Sequence, residues 1–260
     1  MQTGAHPYGR LGRELGESPF SAIRYVVETE STNADAAKLL GDDRYLGLSI
    51  VAEHQTRGSG RRGRSWTAVP GTSLLVTTIL PRIVAAQALW AVPFWTARAV
   101  RAGLASQGVA TAVHWPNDLL VAERGKIAGI LCISRVSGAN AWAACGVGIN
   151  VLRPPAGAAS IEPAPAYCND VTRVDRSRLL LEILRAYEGT LDLLADPRAA
   201  ADLWEADAGL PGARYRILKD GETVPFEATA LRIADGGGLV VERDGGAIET
   251  IDLAHARALR

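Results

Sequence analysis

The sequence predicts an α+β protein, in which a mixed β-sheet with flanking helices is followed by a small C-terminal β-barrel. Up to about residue 208, β-branched apolar runs alternate with segments whose apolar residues recur at helical spacing. Beyond that point, short strand-like runs are separated by Asp220-Gly221, Asp235-Gly236 and Asp244-Gly245. Closely spaced Asp-Gly turns are typical of antiparallel barrels. We therefore predict a large domain over residues 1–208 and a barrel over residues 209–260.

The composition is that of an ordinary globular protein. The chain has 260 residues, of which 48% are hydrophobic, and its 28 basic side chains equal its 28 acidic ones. No general affinity for DNA or membranes is expected, so any basic site must be local. The chain lacks the apolar stretch of a signal peptide or a membrane span, and its three cysteines form no C-x-x-C. These features predict a cytoplasmic protein without disulfides.

The first half of the large domain is predicted to begin after a flexible arm over residues 1–20. Its strands are predicted from β-branched and aromatic runs at residues 22–28, 48–52 and 72–80. A short capped helix is expected at Thr32, because Asp35 stands three positions further on and apolar residues follow. Residues 85–107 have helical spacing, with a kink or break at Pro93.

The second half continues with strands and then helices. Strands are predicted at residues 113–121, 126–136 and 141–151, an irregular proline-rich connection at 153–167, and helices at 176–194 and 198–207. The barrel strands are predicted at residues 215–218, 224–233, 239–241 and 248–253.

Residues 57–66, RGSGRRGRSW, contain a literal G-x-G-x-x-G match and four arginines. In a dinucleotide-binding fold this loop opens a helix, and an acidic residue follows about twenty positions later. Here a strand follows, and residues 77–82 contain no Asp or Glu. The match therefore does not predict a nicotinamide cofactor.

The same loop is suited to an anionic ligand. Ordering ten residues costs on the order of 10 kcal/mol, and four like charges repel one another. Charge-assisted hydrogen bonds, at roughly 1.5 to 3 kcal/mol each, could offset that cost when a phosphate or carboxylate binds. We expect a loop that is mobile without ligand and closes on an anion. A solvated basic turn, or one that contacts RNA, is the alternative.

Five motifs in order resemble the catalytic domain of biotin protein ligases. They are ESTN at residues 30–33, QTRGSGRRGRSW at 55–66, HWPND at 114–118, KIAGI at 126–130 and GVGIN at 146–150. Together they span about 120 of the 260 residues. The resemblance implies a biotin/lipoate ligase-like fold, with an SH3-like domain as the C-terminal barrel. Only thirty residues precede the Ser-Thr-Asn motif. In this respect the chain resembles the short members of the family, which have no DNA-binding domain.

The resemblance also implies an activity. Such an enzyme joins biotin to ATP, with Mg²⁺, to give biotinyl-5′-adenylate and pyrophosphate. It then transfers biotin to a lysine of a biotin carboxyl carrier protein or domain of a carboxylase. The loop arginines suit this reaction, because activating a carboxylate requires positive charge where the phosphates accumulate negative charge.

Roles follow residue by residue from the matching motifs. Biotin binding is implied for Ser31, Thr32, Asn33, Gln55, Gly58, Ser59, Gly60, Arg61, Lys126 and Gly129. ATP or adenylate binding is implied for Arg61, Arg64, Trp66, Asn117, Lys126 and Asn150. Catalytic roles are implied for Lys126, Arg61, Arg64 and Asp118, with Asp118 also the candidate Mg²⁺ ligand.

Some of these residues have simpler interpretations. Ser31 and Thr32 are typical helix caps, and Trp66 could be a core aromatic. Lys126 could be a solvated lysine after a turn. Asn117 and Asp118 also form a common turn sequence.

Two positions depart from the family pattern. Ser59 stands where an arginine is frequent, and His114 where a lysine is frequent. Backbone N–H groups can serve at Ser59, so binding is expected to survive. At His114 we expect weaker phosphate affinity or stronger pH dependence.

Other functions and one chemical step stay open. A lipoate or octanoate ligase would share the fold, and a nucleic-acid-binding protein would use the arginine loop as its contact surface. For the transfer step, the acceptor lysine must lose a proton although its ordinary pKa is about 10.4. Either Asp118 or water is the base.

Overall fold

The structure, a computed structural model, describes residues 6–122, 124–155, 164–253 and 255–259. The first sheet contains β1 (Ile23–Thr29), β2 (Ser49–Gln55), β3 (Ser73–Ile79), β4 (Val84–Ala85), β5 (Ala112–His114), β6 (Asp118–Val121), β7 (Gly125–Ser137) and β8 (Asn140–Asn150). The helices are α1 (Leu11–Leu15), α2 (Thr32–Ala37), α3 (Val92–Ser106), α4 (Arg176–Gly189) and α5 (Pro197–Asp207). The connection predicted at residues 153–167 lies largely in 156–163, outside the described residues.

The first sheet has the order β1-β2-β3-β8-β7-β6-β5, and β4 pairs with β8. β1 and β2 are parallel, joined through α2, and the other pairs are antiparallel. The predicted mixed sheet with flanking helices is therefore confirmed. β3 and most of β8 are buried, as expected for apolar central strands.

A second, antiparallel sheet follows α5. It contains β9 (Arg214–Lys219), β10 (Phe226–Ile233), β11 (Leu239–Arg243), β12 (Ile248–Ile251) and β13 (Ala256–Leu259). Its order is β12-β11-β10-β9-β13. The small C-terminal β-structure is confirmed, and β13 was missed by the sequence analysis. Tyr215 and Ile217 of this sheet belong to the same buried cluster as Trp95 and Trp204 of the helices, so one hydrophobic core runs through both parts.

The prediction of a flexible N-terminal arm is wrong for residues 6–20. Tyr8, Leu11 and Phe20 are almost fully buried in the main core. The ring of Phe20 packs against Tyr187 of α4, with ring centres 5.7 Å apart. These apolar residues are isolated in a polar, Gly-rich stretch, which hid their role. Residues 1–5 lie outside the described part of the chain.

Two predicted elements are divided in the structure. The strand expected over residues 113–121 is a hairpin of β5 and β6, which pair antiparallel across a turn at residues 115–117. Pro116 lies in this turn, where its lack of an N–H interrupts no ladder. The helix expected over residues 176–194 ends at Gly189 and is followed by a 3-10 turn at Leu191–Ala195. The break predicted at Pro93 is confirmed, since α3 begins at Val92 and proline occupies its first turn.

Within the described residues, no helix is long and apolar enough to span a membrane.

Candidate active site

One face of β8 forms the floor of a cleft. Successive side chains of a strand alternate between its faces, so Gly146, Gly148 and Asn150 share a face and extend about 13 Å along it. All three line the cleft, and two of them have no side chain. Side chains from other segments can therefore approach this strand closely at the two glycines.

Asn33 lies over Gly146, at the first end of the floor. A Cβ atom at Gly146 would lie 2.2 Å from Oδ1 of Asn33, so only glycine permits this packing. The Asn33 amide nitrogen donates to the carbonyl of Leu131 at 3.0 Å, and its oxygen lies 2.8 Å from the hydroxyl of Thr77. Asn33 is therefore buried in a fixed orientation.

Thr32 and Gln55 continue this network of uncharged polar groups. The Gln55 amide oxygen accepts from the backbone N–H of Thr32 at 2.8 Å and from its hydroxyl at 3.0 Å. The hydroxyl of Thr77 lies 2.8 Å from that of Thr32. We name Ser31, Thr32, Asn33 and Gln55 the neutral end of the cleft.

The predicted cap of α2 is wrong in detail. The N-cap residue is Ser31, whose side chain makes no capping hydrogen bond. Asp35 accepts a hydrogen bond from the hydroxyl of Thr29 at 2.6 Å. The side chain of Gln55 bonds the first turn of the helix instead. The Ser31 side chain faces the cleft without serving as a cap.

Trp66 lies over the middle of the floor. A Cβ at Gly148 would lie 2.6 Å from its ring, and a Cβ at Gly129, the residue opposite Gly148 on β7, would lie 3.0 Å from it. Both glycines therefore make room for the indole ring. The indole N–H is buried and, among the described residues, has no hydrogen-bond partner. Trp66 is thus a wall of the cleft and not a residue of the main core.

Lys126 and Asp118 meet at the other end of the floor. The Lys126 ammonium lies 2.6 Å from Oδ1 of Asp118, and 5.5 Å from the centre of the Trp66 ring. Asn150 lies beside them, its amide nitrogen 3.4 Å from the Lys126 carbonyl oxygen. A Cβ at Gly129 would lie 2.8 Å from the ammonium, so this glycine admits the lysine as well as the indole.

The arginine loop, residues 57–66, closes over the cleft as a small hairpin. Ser59 and Ser65 form an isolated antiparallel β-bridge through their backbones. The N–H of Gly60 donates to the carbonyl of Arg64 at 2.6 Å. Gly58 lies against Trp66, where a Cβ would be 2.4 Å from the Trp66 carbonyl oxygen. These contacts fix the base of the hairpin and direct Arg61 and Arg64 into the cleft.

Arg61 is held between the two sheets. One of its nitrogens donates to the carbonyl of Leu253 at 2.6 Å, and another lies 3.5 Å from Oδ1 of Asn117. Burial, then the neighbouring Arg64, lowers the pKa of the Arg61 guanidinium. We name Arg61, Arg64 and Lys126 the cationic end of the cleft.

Most residues singled out in the sequence line this one cleft. They are Ser31, Thr32, Asn33, Gln55, Ser59, Gly60, Arg61, Arg64, Trp66, Asn117, Lys126, Gly129 and Asn150. Gly58 supports Trp66, and Asp118 supports Lys126 from behind. The roles of these residues toward ligands stay predictions.

Sequence reasoning missed several residues of the site. Thr77 lies within an apolar run of residues. The one sequence signal for its role is a hydroxyl side chain in a strand that is otherwise apolar. Tyr215 lies on β9 of the second sheet, and Leu253 lies in the connection between β12 and β13. Tyr215 accepts a hydrogen bond from the backbone N–H of Trp115 at 3.2 Å, and its ring contacts His114. No local pattern indicated these contacts.

The arrangement can bind an elongated molecule that is uncharged at one end and anionic at the other. Hydrogen-bonding groups at the neutral end satisfy a polar ring without charge. Three cations at the opposite end, in a partly dehydrated cleft, stabilise phosphate or carboxylate. Within the described residues, no three side chains of His, Cys, Asp or Glu gather as a metal-binding cluster.

Comparisons with known proteins agree with this geometry. A model of the biotin/lipoate A/B protein ligase family matches residues 25–150. The biotin–[acetyl-CoA-carboxylase] ligase of Mycobacterium tuberculosis is 32% identical over 258 aligned positions, which cover 92% of this chain and 91% of that protein. The bifunctional ligase/repressor BirA of Bacillus subtilis is 28% identical, with 91% of this chain and 78% of that protein covered.

The fold has solved counterparts. The biotin protein ligase from Aquifex aeolicus in complex with biotin and ATP has a TM-score of 0.70 and 21% identity, and covers 93% of this chain and 100% of that chain. This likeness concerns the fold, whereas the Mycobacterium tuberculosis relative shares a third of its residues over nearly its full length. The chain belongs to the biotin protein ligase family.

Proposed function

We propose that this protein activates biotin with ATP to biotinyl-5′-adenylate and transfers the biotinyl group to a lysine of a biotin carboxyl carrier protein or domain. One observation carries the proposal: a single cleft has an uncharged hydrogen-bonding end and a cationic end, joined by a glycine floor. Biotin has an uncharged ureido ring and a carboxylate tail, which matches this polarity.

The neutral end is the site for the ureido ring. Thr32, Asn33 and Gln55 supply donors and acceptors already held by Thr77 and by the backbone, and Ser31 adds a hydroxyl group beside them. Preorganised groups lose little entropy when a ligand binds. The tail then runs from the neutral end toward Lys126, beside the backbone of Gly58, Ser59 and Gly60.

The cationic end is the site for adenylation. The biotin carboxylate attacks the α-phosphate of ATP, the bond to the β-phosphate breaks, and pyrophosphate leaves. Arg61, Arg64 and Lys126 stabilise the negative charge that develops on these oxygens. Trp66, over the middle of the floor, and Asn150, at the cationic end, form the contact surface for adenine. Asn117 is positioned beside them by the Ile130 carbonyl at 2.8 Å.

Magnesium is part of the proposal as an ion that accompanies ATP. Mg²⁺ is usually held by one or two carboxylates together with substrate phosphates. Asp118, buried behind Lys126, is the carboxylate that fits this description. When bound, the ion would neutralise phosphate charge.

The transfer step needs a deprotonated acceptor lysine. Its amine attacks the acyl carbon of the adenylate, and AMP leaves with the electron pair of the broken bond. Asp118 is already paired with Lys126, which favours water over Asp118 as the acceptor of the proton.

The three cysteines are free thiols, which is consistent with a cytoplasmic location.

The test is the mass of a biotin carboxyl carrier domain incubated with this protein, ATP, Mg²⁺ and biotin. We expect an increase by one biotinyl group that requires ATP and is absent when the acceptor lysine is replaced by arginine. An unchanged mass under these conditions would refute the proposal. Pyrophosphate exchange stimulated by lipoate, and not by biotin, would assign the protein to the related lipoate ligases.

A further inference from the structure

Arg62 is directed differently from Arg61 and Arg64, the arginines on either side of it. Those two line the cleft. The guanidinium of Arg62 pairs instead with the carboxylate of Asp220, which directly follows β9 in the second sheet. The pair connects residues 158 positions apart.

The backbone at Arg62 is unusual for an arginine. Its φ is 60° and its ψ is 40°, and in the described part of the chain it is the only residue other than glycine with positive φ. Residues with a Cβ atom rarely adopt this conformation, which persists only where the surroundings hold it. Gly63 follows with φ of 72°. Arg62 and Gly63 are thus the central residues of the tight turn between Arg61 and Arg64.

The second sheet holds this turn at two points. Asp220 is fixed by its own N–H, which donates to the carbonyl of His255 at 2.8 Å. The carbonyl of Leu253, two residues before His255, accepts from Arg61. Two connections of the second sheet therefore contact consecutive residues of the loop. Asp220, after β9, contacts Arg62 through its carboxylate, and Leu253, between β12 and β13, contacts Arg61 through its backbone oxygen.

We propose that Asp220 is a positioning residue for adenylation: through Arg62 it holds the turn that directs Arg61 and Arg64 into the cleft. This inference rests on the proposed function. Arg62 and Asp220 are 27% and 47% exposed, so solvent and salt weaken the pair. Its effect is on the orientation of the loop and not on the stability of the fold.

The kinetic test compares Asp220→Ala with a matched control, Asp244→Ala. Asp244 forms an exposed ion pair with Arg214 in the same sheet, away from the cleft. In biotin-dependent pyrophosphate exchange, Asp220→Ala should raise the KM for ATP about three- to fivefold, the size expected of a partly exposed pair. The control should match the wild type. In Asp220→Ala, transfer from added biotinyl-5′-adenylate should be affected less than pyrophosphate exchange, because the adenylate retains only the α-phosphate.

Coupling with Arg62 shows whether Asp220 acts through that residue. In the variant that combines Arg62→Ala with Asp220→Ala, the KM for ATP should be no higher than in Arg62→Ala alone. The inference would be overturned if the two substitutions raised the KM for ATP by independent factors that multiply in the double variant. It would also be overturned if Asp220→Ala left the KM for ATP unchanged.

Hydrogen exchange of the ligand-free protein tests the contact without any reaction. Amides of residues 58–66 should exchange faster in Asp220→Ala than in Asp244→Ala, while both variants keep the wild-type unfolding midpoint. Equal exchange would overturn the inference. If the wild type shows no biotin-dependent exchange of pyrophosphate, the proposed function fails, and loop exchange alone then decides whether Asp220 positions the loop.

Discussion

The ammonium of Lys126 lies 2.6 Å from Oδ1 of Asp118, and both side chains are largely buried at the cationic end of the cleft. Bringing two charges out of water is costly unless each has a partner, and each of these charges offsets part of the desolvation cost of the other. An anion that enters the cleft meets an ammonium already held in place.

Replacing Lys126 should abolish most of the adenylation activity. Lys126→Ala removes a cation at the reacting phosphate, together with the ammonium that pairs with the buried Asp118 carboxylate. Loss of one such preorganised donor typically slows a reaction about a hundredfold or more. Lys38→Ala is the control, since Lys38 is 74% exposed and pairs with Asp35 on its own helix turn. Pyrophosphate exchange measures the effect, and a variant retaining half the wild-type rate would contradict the role of Lys126.

Replacing Asp118 should separate the two half-reactions. Because Asp118 positions Lys126, Asp118→Ala should slow adenylation by about a hundredfold. Transfer from added biotinyl-5′-adenylate to the carrier domain should stay within about threefold of the wild-type rate. Single-turnover measurements of both steps check this. Equal slowing of both would instead identify Asp118 as the base of the transfer step.

The residues of the neutral and cationic ends were predictable because they lie within short sequence motifs. Gly146, Gly148 and Asn150 share a strand face by simple alternation, and strand β8, predicted at residues 141–151, runs from Asn140 to Asn150. Their neighbours Asn33 and Lys126 lie in motifs of a few residues. These groups could be identified because their motifs, taken together and in order, resemble those of a known family.

The contacts between the two sheets were not predictable in the same way. Asp220 and Leu253 look like ordinary turn residues in the sequence, and their role depends on how the second sheet docks beside the loop. Tyr8 and Phe20 likewise have no periodic neighbours, so their burial depends on α4 folding elsewhere in the chain. Such long-range packing leaves no local pattern.

The docked N-terminal segment can be tested by stability. Phe20 is fully buried against Tyr187, so Phe20→Ala should lower the free energy of unfolding by about 3 to 5 kcal/mol. Val27→Ala is the control: Val27 is 60% exposed, and its replacement should change that free energy by less than about 0.5 kcal/mol. Urea unfolding followed by circular dichroism gives both values. If the two variants were equally stable, the segment would be detached in solution.

Gly148 makes room on the glycine floor for the indole ring of Trp66. In Gly148→Ala the new Cβ would lie 2.6 Å from the indole ring, a distance at which the rigid ring must move. Such overpacking costs about 1 to 3 kcal/mol, and the displaced ring should raise the KM for ATP at least about tenfold. Biotin binding at the neutral end, over Gly146, should change by less than about twofold because those contacts are separate.

Two further variants make this prediction specific. Gly189→Ala is the control, because a Cβ at Gly189 meets no atom within 4 Å. Adding Trp66→Ala to Gly148→Ala removes the obstacle, so the Gly148 substitution should have little further effect in that background. Calorimetric titration with biotin, together with ATP-dependent pyrophosphate exchange, measures both ends of the cleft. A tenfold loss that persists in the absence of the indole would mean that Gly148 is needed for direct contact with the nucleotide, and not to make room for Trp66.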